Sequence, residues 1–270
     1  MNPNKALWEK GDFTRIAESM RRSGDALVES FGISKGLKVL DLGCGDGTTA
    51  LPAARRGADV SGVDIASNLV DAGNKRARAA GLTNCRFQEG DATNLHGIAD
   101  QSFDLVVSIF GVMFAPKPFE VAKEMVRVTR KGGRIIMGNW IPNDPTLVAQ
   151  ILRICSAYTP PPPEGFVSPM TWGIESHVIE RFEGAGVPAA QISFARETFR
   201  FEVPGPPSNY LASFRTYYGP TMNAFDAAEK SGRGADLQKE LEELFNSQNT
   251  SGSEHATSIP ATFLRVTVAP

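Results

Sequence analysis

Residues 39–50 read V-L-D-L-G-C-G-D-G-T-T-A. An apolar run ends in Gly43, Gly45 and Gly47, and polar and small residues follow. That order predicts a strand, a tight turn and a helix, the arrangement that receives nucleotides at a helix N-terminus. Two details bear on which nucleotide. The glycines are spaced G-x-G-x-G, so Thr48 stands where the third glycine of the dinucleotide pattern G-x-G-x-x-G would be. Asp41 sits just before them. A carboxylate there repels a pyrophosphate and attracts a cation, by on the order of a few kcal/mol either way at contact distance. The turn therefore favours a nucleoside without phosphates that carries positive charge, as S-adenosylmethionine does with its sulfonium and ammonium. The competing reading is a bare strand–turn–helix without a ligand. Against it stands the chain entropy that three glycines in five residues cost.

Outward from this turn, further acids fall at matching points. G-V-D-I (Gly62–Ile65) ends a second strand on Asp64, about twenty residues past the glycines, where an acid can accept both ribose hydroxyls. Its bland alternative is a cap on the next helix, a job Ser67 can also do. E-G-D-A (Glu89–Ala92) ends a third strand. Asp91 can accept from an adenine amino group while the Ala92 N–H donates to a ring nitrogen; alone it reads equally well as a turn aspartate.

Alternating patterns fill in the rest. The spacing predicts strands over Leu37–Leu42, Ala58–Val63, Cys85–Glu89, Phe103–Ile109 and Arg134–Asn139. It predicts helices over Asp46–Arg56, Ser67–Ala80 and Pro118–Arg130, and a turn at Lys131–Gly133. Strands alternating with helices imply a parallel sheet covered on both faces. After Trp140 the rhythm changes. Tyr158–Phe166, with its four consecutive prolines, is an extended loop. Glu175–Glu183 reads as a helix, Gln191–Val203 as a strand, and Ser208–Tyr218 and Ala224–Asn246 as helices. Asn246–Glu254 is polar and expected to be mobile, and Ala261–Val268 is a final strand.

Bulk properties exclude several classes. A net charge of −2 gives no electrostatic case for nucleic acid or an anionic membrane as partner. No apolar run approaches a membrane span, and the first ten residues lack the apolar core of a signal peptide. Cys44, Cys85 and Cys155 are too few and scattered for a disulfide framework or a zinc site, so no metal is expected and a cytoplasmic setting is.

The run V-L-D-L-G-C-G-D-G, then G-V-D-I, E-G-D-A, F-D-L-V-V-S and R-K-G-G-R-I, resembles the ordered motif set of class I S-adenosylmethionine-dependent methyltransferases, over roughly Leu37 to Trp140. The resemblance implies an α/β, Rossmann-like, seven-stranded and mostly parallel sheet with helices on both faces. Its last strand would be antiparallel, and helical and loop insertions would form a lid. It implies one methyltransferase domain over 1–270: an N-terminal helical lid (1–36), a cofactor-binding core (37–140), substrate-side insertions with a sheet strand (141–260) and the final strand (261–268). Asp41 would hold the methionine end, and Gly43, Cys44, Gly45 and Gly47 would let the backbone approach it. Asp64 would bind ribose, Ile65 would pack on adenine, Asp91 and Ala92 would read the adenine edge, and Ser108 would border the methionine moiety. The segments W-E-K-G-D-F (Trp8–Phe13), F-G-V-M-F-A-P (Phe110–Pro116), N-W (Asn139–Trp140) and F-R-T-Y-Y-G-P-T (Phe214–Thr221) resemble a small-molecule subgroup related to quinone biosynthesis, the type 11 methyltransferases.

Methyl transfer asks mainly for alignment of donor and acceptor, which can supply roughly 7–11 kcal/mol, and for exclusion of water. Phe110, Met113 and Phe114 follow the fourth strand and Trp140 the fifth; Trp172, Phe214 and Tyr218 come from the insertions, and Trp8 and Phe13 from the N-terminal segment. They are the candidate acceptor pocket, an apolar cleft for a small-molecule methyl acceptor; ordinary core packing is the alternative for each. A base is needed only for a hydroxyl or amine acceptor. His177 and Tyr217 are the candidates; His96 and His255 lie in polar loops, and Cys44 is read as packing, not as a nucleophile. No N-P-P-Y or D-P-P-Y follows the fourth strand, which argues against DNA as acceptor. Two other functions compete: a non-catalytic cofactor-binding subunit, and an NAD(P)-dependent oxidoreductase, against which Asp41 and Thr48 both speak.

Overall fold

The computed structural model describes residues 3–270; the first two residues of the expected N-terminal lid lie outside that range. Seven strands form one sheet: β1 (Lys38–Leu42), β2 (Asp59–Asp64), β3 (Cys85–Glu89), β4 (Phe103–Ile109), β5 (Thr129–Trp140), β6 (Ile192–Pro204) and β7 (Ala256–Val268). Their order is β3-β2-β1-β4-β5-β7-β6. The pairs β1–β2, β1–β4, β2–β3 and β4–β5 are parallel, and β7 lies antiparallel to β5. The expected fold class holds. Strand order reverses between β1 and β4, and α/β sheets bind ligands outside the C-terminal ends of the strands at such a switch point.

Eleven α-helices accompany the sheet among the described residues: α1 (Pro3–Lys10), α2 (Phe13–Ala17), α3 (Arg21–Glu29), α4 (Ala50–Arg55), α5 (Ser67–Ala79), α6 (Pro118–Val128), α7 (Leu147–Ser156), α8 (Glu175–Glu183), α9 (Pro207–Tyr217), α10 (Gly219–Lys230) and α11 (Gly234–Gln248). The chain divides into two compact units. One comprises Gly24–Ile141, Val167–Glu197 and Phe263–Pro270; the other comprises the described residues up to Ser23, with Pro142–Phe166 and Thr198–Thr262.

In the first unit, Leu40, Leu42, Leu105, Val106, Ile135 and Met137 are wholly buried. Apolar residues run unbroken along these strands because both sheet faces are covered. Beneath the glycine turn sits Phe87. A Cβ added at Gly47, Gly62 or Gly73 would come within 2.7, 2.7 or 2.8 Å of its ring. In the other unit the core is aromatic: Tyr210 packs edge-on against Phe214 and Phe245, and its hydroxyl meets the Ser19 hydroxyl at 2.8 Å.

Several boundaries differ from expectation. The helix after the glycines starts at Ala50 rather than Asp46, because Gly47, inside the expected helix, has φ +90°, which no right-handed helix accepts. Lys131–Gly133 is not a free turn but lies in β5, where the register with β4 shifts and Gly132 takes φ +72°. The single helix expected over Ala224–Asn246 is two, broken at Ser231–Arg233, with Gly232 at φ +73°. The final strand begins at Ala256, not Ala261; Pro260 inside it reads in sequence as a strand breaker. The stretch expected to be mobile is partly helical, since α11 runs to Gln248. Beyond it the Asn249 side chain accepts from Ser251 N and Ser258 N and donates to Ala256 O. Helix α7 had no sequence expectation.

Candidate cofactor and acceptor site

The turn after β1 is held from several directions. Gly43 N and Cys44 N donate to Val63 O at 2.8 and 3.2 Å. Asp64 accepts from Gly45 N (2.8 Å) on one oxygen and from Ala66 N (2.9 Å) on the other. Arg76, on α5, donates to Asp46 O and forms an ion pair with the buried Asp46 carboxylate at 3.4 Å. Gly43 also meets the segment after β4. A Cβ on Gly43 would lie 2.7 Å from Gly111 Cα, and one on Gly111 would lie 2.5 Å from Gly43 O. Ser108 joins the same two strands: its hydroxyl donates to Leu42 O (2.7 Å) and accepts from Val112 N (3.0 Å). The glycines thus have separate reasons. Gly43 allows β1 and β4 to meet, and Gly47 makes room for Phe87 and Leu51. Above Gly45 a Cβ would meet nothing within 4 Å, so the space there is open.

Asp41 is the anomaly. It is 2% exposed, and its Oδ2 has no hydrogen-bond partner. Burial first, and then the nearby Asp64 carboxylate, push its pKa up to about 8, against the backbone N–H of Ala50 that favours the charged form. Burial also raises Asp64, although the amides of Ala66, Gly45 and Ile65 pull the other way. A buried oxygen without a donor, beside a second buried acid, is costly unless a cation or donor joins it. The Cys44 thiol is pushed well up by burial and is no nucleophile.

Asp91 follows β3 half-buried, and its carboxylate accepts from Thr93 N (2.8 Å) and the Thr93 hydroxyl (2.7 Å). Ile65 and Ala92 are half-buried beside Asp64 and Asp91. At the ends of β4 and β5, Phe110 stacks on Trp140 with ring centroids 3.7 Å apart, and Phe263 of β7 stands edge-on to Phe110 at 5.3 Å. Phe110 holds φ +61°, a conformation that an aromatic residue adopts only under constraint. Met113 is buried and Phe114 half-buried just beyond. Trp172 belongs to a different cluster, with Phe182 and Arg181. In the other unit, Trp8, Phe13 and Tyr218 form a mutual cluster with centroids 5.6–6.2 Å apart, and Phe214 joins it at Tyr218.

His177 lies half-buried in the first turn of α8. Tyr217 is half-buried, with the Arg15 guanidinium carbon 5.9 Å from its ring centroid. His96 and His255 are exposed. Sequence reading overlooked Gly111, the Asp46–Arg76 pair and Arg181. Gly111 had a readable signal, a glycine just after the fourth strand; Arg76 and Arg181 had none.

Residues 40–137 match the model of a methyltransferase domain family. An uncharacterized protein of Mycobacterium tuberculosis is 34% identical over 243 residues, 89% of this chain and 86% of that one. The demethylmenaquinone methyltransferase of Paenarthrobacter aurescens is 36% identical over 120 residues, 44% of this chain and 45% of that one. In fold, the chain is similar to the YcgJ protein of Bacillus subtilis, with a TM-score of 0.57 at 19% identity over 92% of this chain and 99% of that one. The chain belongs to the class I methyltransferase family. That family implies S-adenosylmethionine, and this methyltransferase has features that fit it: an orphaned buried carboxylate at Asp41, open space over Gly45 and an acid at the end of β2. Among the described residues, no helix is long and apolar enough to cross a membrane.

Proposed function

We propose that this methyltransferase transfers a methyl group from S-adenosylmethionine to an oxygen, nitrogen or carbon of an apolar or aromatic small molecule, such as a natural product or quinone-like metabolite. The observation that carries the reading is the unpartnered Asp41 oxygen at the C-terminal end of β1, beside the open face of Gly45. Asp41 would take the cationic methionine end, Gly45 the close approach of the ligand, and Asp64 the ribose. When bound, S-adenosylmethionine supplies an electrophilic methyl group on a sulfonium. The chain's own work is alignment and desolvation. The buried Phe110–Trp140 stack offers a flat apolar wall at the ends of β4 and β5, suited to the face of an aromatic acceptor. Excluding water there favours attack, because the sulfonium charge disappears as the methyl group leaves. The Paenarthrobacter relative is named for a quinone-type acceptor, demethylmenaquinone, which supports the quinone-like part of this reading.

Calorimetric titration with S-adenosylhomocysteine, followed by labelled methyl transfer to a panel of aromatic acceptors, tests the proposal. Asp64→Ala is expected to weaken cofactor binding by about 1.5–3 kcal/mol, the worth of hydrogen bonds to a charged group. Unchanged affinity in the variant, or binding of NAD in place of S-adenosylhomocysteine, would overturn the assignment of this turn.

A further inference from the structure

Arg181 is on α8 and is 4% exposed. A guanidinium so removed from water ordinarily has a carboxylate against it, because an unpaired buried charge is strongly unfavourable. Here its hydrogen bond goes to a neutral group: Nη2 donates to the Thr171 hydroxyl at 2.6 Å, and Nη1 has no acceptor. The guanidinium carbon lies 4.4 Å from the ring centroid of Trp172. Trp172 is 1% exposed, and its indole N–H also lacks an acceptor. Two buried donors in one cluster are therefore unsatisfied, and one of them is a cation. Burial draws Arg181 down to about 10, against the charge of Glu180 beside it on α8, so it keeps its charge at neutral pH.

The cluster adjoins the expected acceptor side of the fold. Thr171 and Trp172 lie in the short helical turn Pro169–Gly173. Gly173 is pressed against the end of β5, where a Cβ would lie 2.1 Å from Trp140 O. The same turn packs on Val112–Phe114, which follows β4. His177 stands one helical turn before Arg181 on α8, on the same face.

We propose that Arg181, assisted by the Trp172 indole N–H, binds a carboxylate carried by the methyl acceptor, and so selects aromatic or apolar acids over their neutral counterparts. The proposal rests on reading the chain as a small-molecule methyltransferase and names a substrate class for it. Arginine suits the task because its planar fork matches a carboxylate and its charge is permanent. Thr171 fixes one arm of the fork and leaves Nη1 for the ligand. Shielding from water makes that bond strong once formed, and entry calls for a shift of the Pro169–Gly173 turn.

The test uses benzoate and its neutral isostere benzamide as probes, titrated into the full chain saturated with S-adenosylhomocysteine, with tryptophan fluorescence and calorimetry as readouts. Wild type is expected to bind benzoate at least about tenfold more tightly than benzamide. Arg181→Gln removes the charge and is expected to abolish that preference while leaving affinity for S-adenosylhomocysteine unchanged. Arg181→Lys keeps the charge without the fork and should retain part of the preference; it serves as well if the glutamine variant fails to fold. Equal binding of the two probes by wild type, or a preference that survives in Arg181→Gln, overturns the inference even where S-adenosylhomocysteine binds normally. Failure of S-adenosylhomocysteine to bind wild type overturns the underlying methyltransferase reading, and this inference with it.

Discussion

At the scale of single residues, Asp41 has the clearest consequence. Its carboxylate is buried and half-satisfied, and its pKa is pushed up to about 8. A folded-state value above the unfolded one means that the folded protein holds the proton longer. The contribution to stability is thus fully present below the unfolded value, near 3.9, and is lost as pH rises through about 8. Asp41→Asn is therefore expected to flatten the decline of melting temperature with rising pH in the ligand-free protein; a decline as steep as that of wild type would contradict it. The same group makes cofactor binding pH-dependent with the opposite sign. A cation beside Asp41 favours the ionised form, so affinity for S-adenosylmethionine should fall below about pH 8, at most by about tenfold per pH unit, with release of a proton on binding. Titration calorimetry in buffers of different ionisation enthalpy would reveal that proton, and its absence would show that Asp41 is not at the cationic end.

Among the elements, the stretch between β1 and α4 matters most. Its glycines were legible as a turn, but what holds the turn in shape was not. Asp64 ties Gly45 from β2, and Arg76 ties Asp46 from α5. Arg76 is a positioning residue, distant in sequence from the turn it secures. Arg76→Met should remove the ion pair to the buried Asp46 carboxylate and the bond to the Asp46 carbonyl, and loosen the turn. A loss of about 1–3 kcal/mol of stability, the usual cost of stripping a partner from a buried polar group, is expected. Cofactor affinity should fall with it, and chemical denaturation alongside calorimetry checks both. Stability and affinity that both match wild type would remove Arg76 from the account. The elements misjudged in sequence have separate causes. β7 carries Pro260, and α10 and α11 have similar amphipathic patterns on either side of Ser231–Arg233. Helix α7 did carry a signal: Leu147, Val148, Ile151, Ile154 and Cys155 recur at helical spacing and are the buried face, with Arg153 and Ser156 exposed. By contrast β3, β4 and α8 have the bounds expected of them, because alternation marks β3, an apolar run after polar residues marks β4, and Gly173 and Gly184 frame α8.

For the whole molecule, ligand binding to the folded state alone must raise its stability. A ligand at a hundred times its dissociation constant adds about 2.7 kcal/mol. S-adenosylhomocysteine is therefore expected to raise the melting temperature in proportion to the logarithm of its concentration, and NAD is not. A rise with NAD and none with S-adenosylhomocysteine would place the chain among the oxidoreductases, the alternative that Thr48 and Asp41 argue against.

Sequence alone determined the alternation of strands and helices, the glycine turn, the acids at Asp41 and Asp64, and hence the family. These features are local: a few adjacent residues carry the signal, and propensity, turn chemistry and periodicity act over that range. The tertiary structure decided which acid oxygen is left without a partner, why Gly43 and Gly47 must be glycines, and that Arg181 lies buried with one guanidinium nitrogen lacking an acceptor. Those facts depend on Gly111, Phe87 and Trp172, which reach their neighbours only once the chain has folded. Burial and hydrogen-bond satisfaction belong to that packing, and no stretch of the chain carries them by itself.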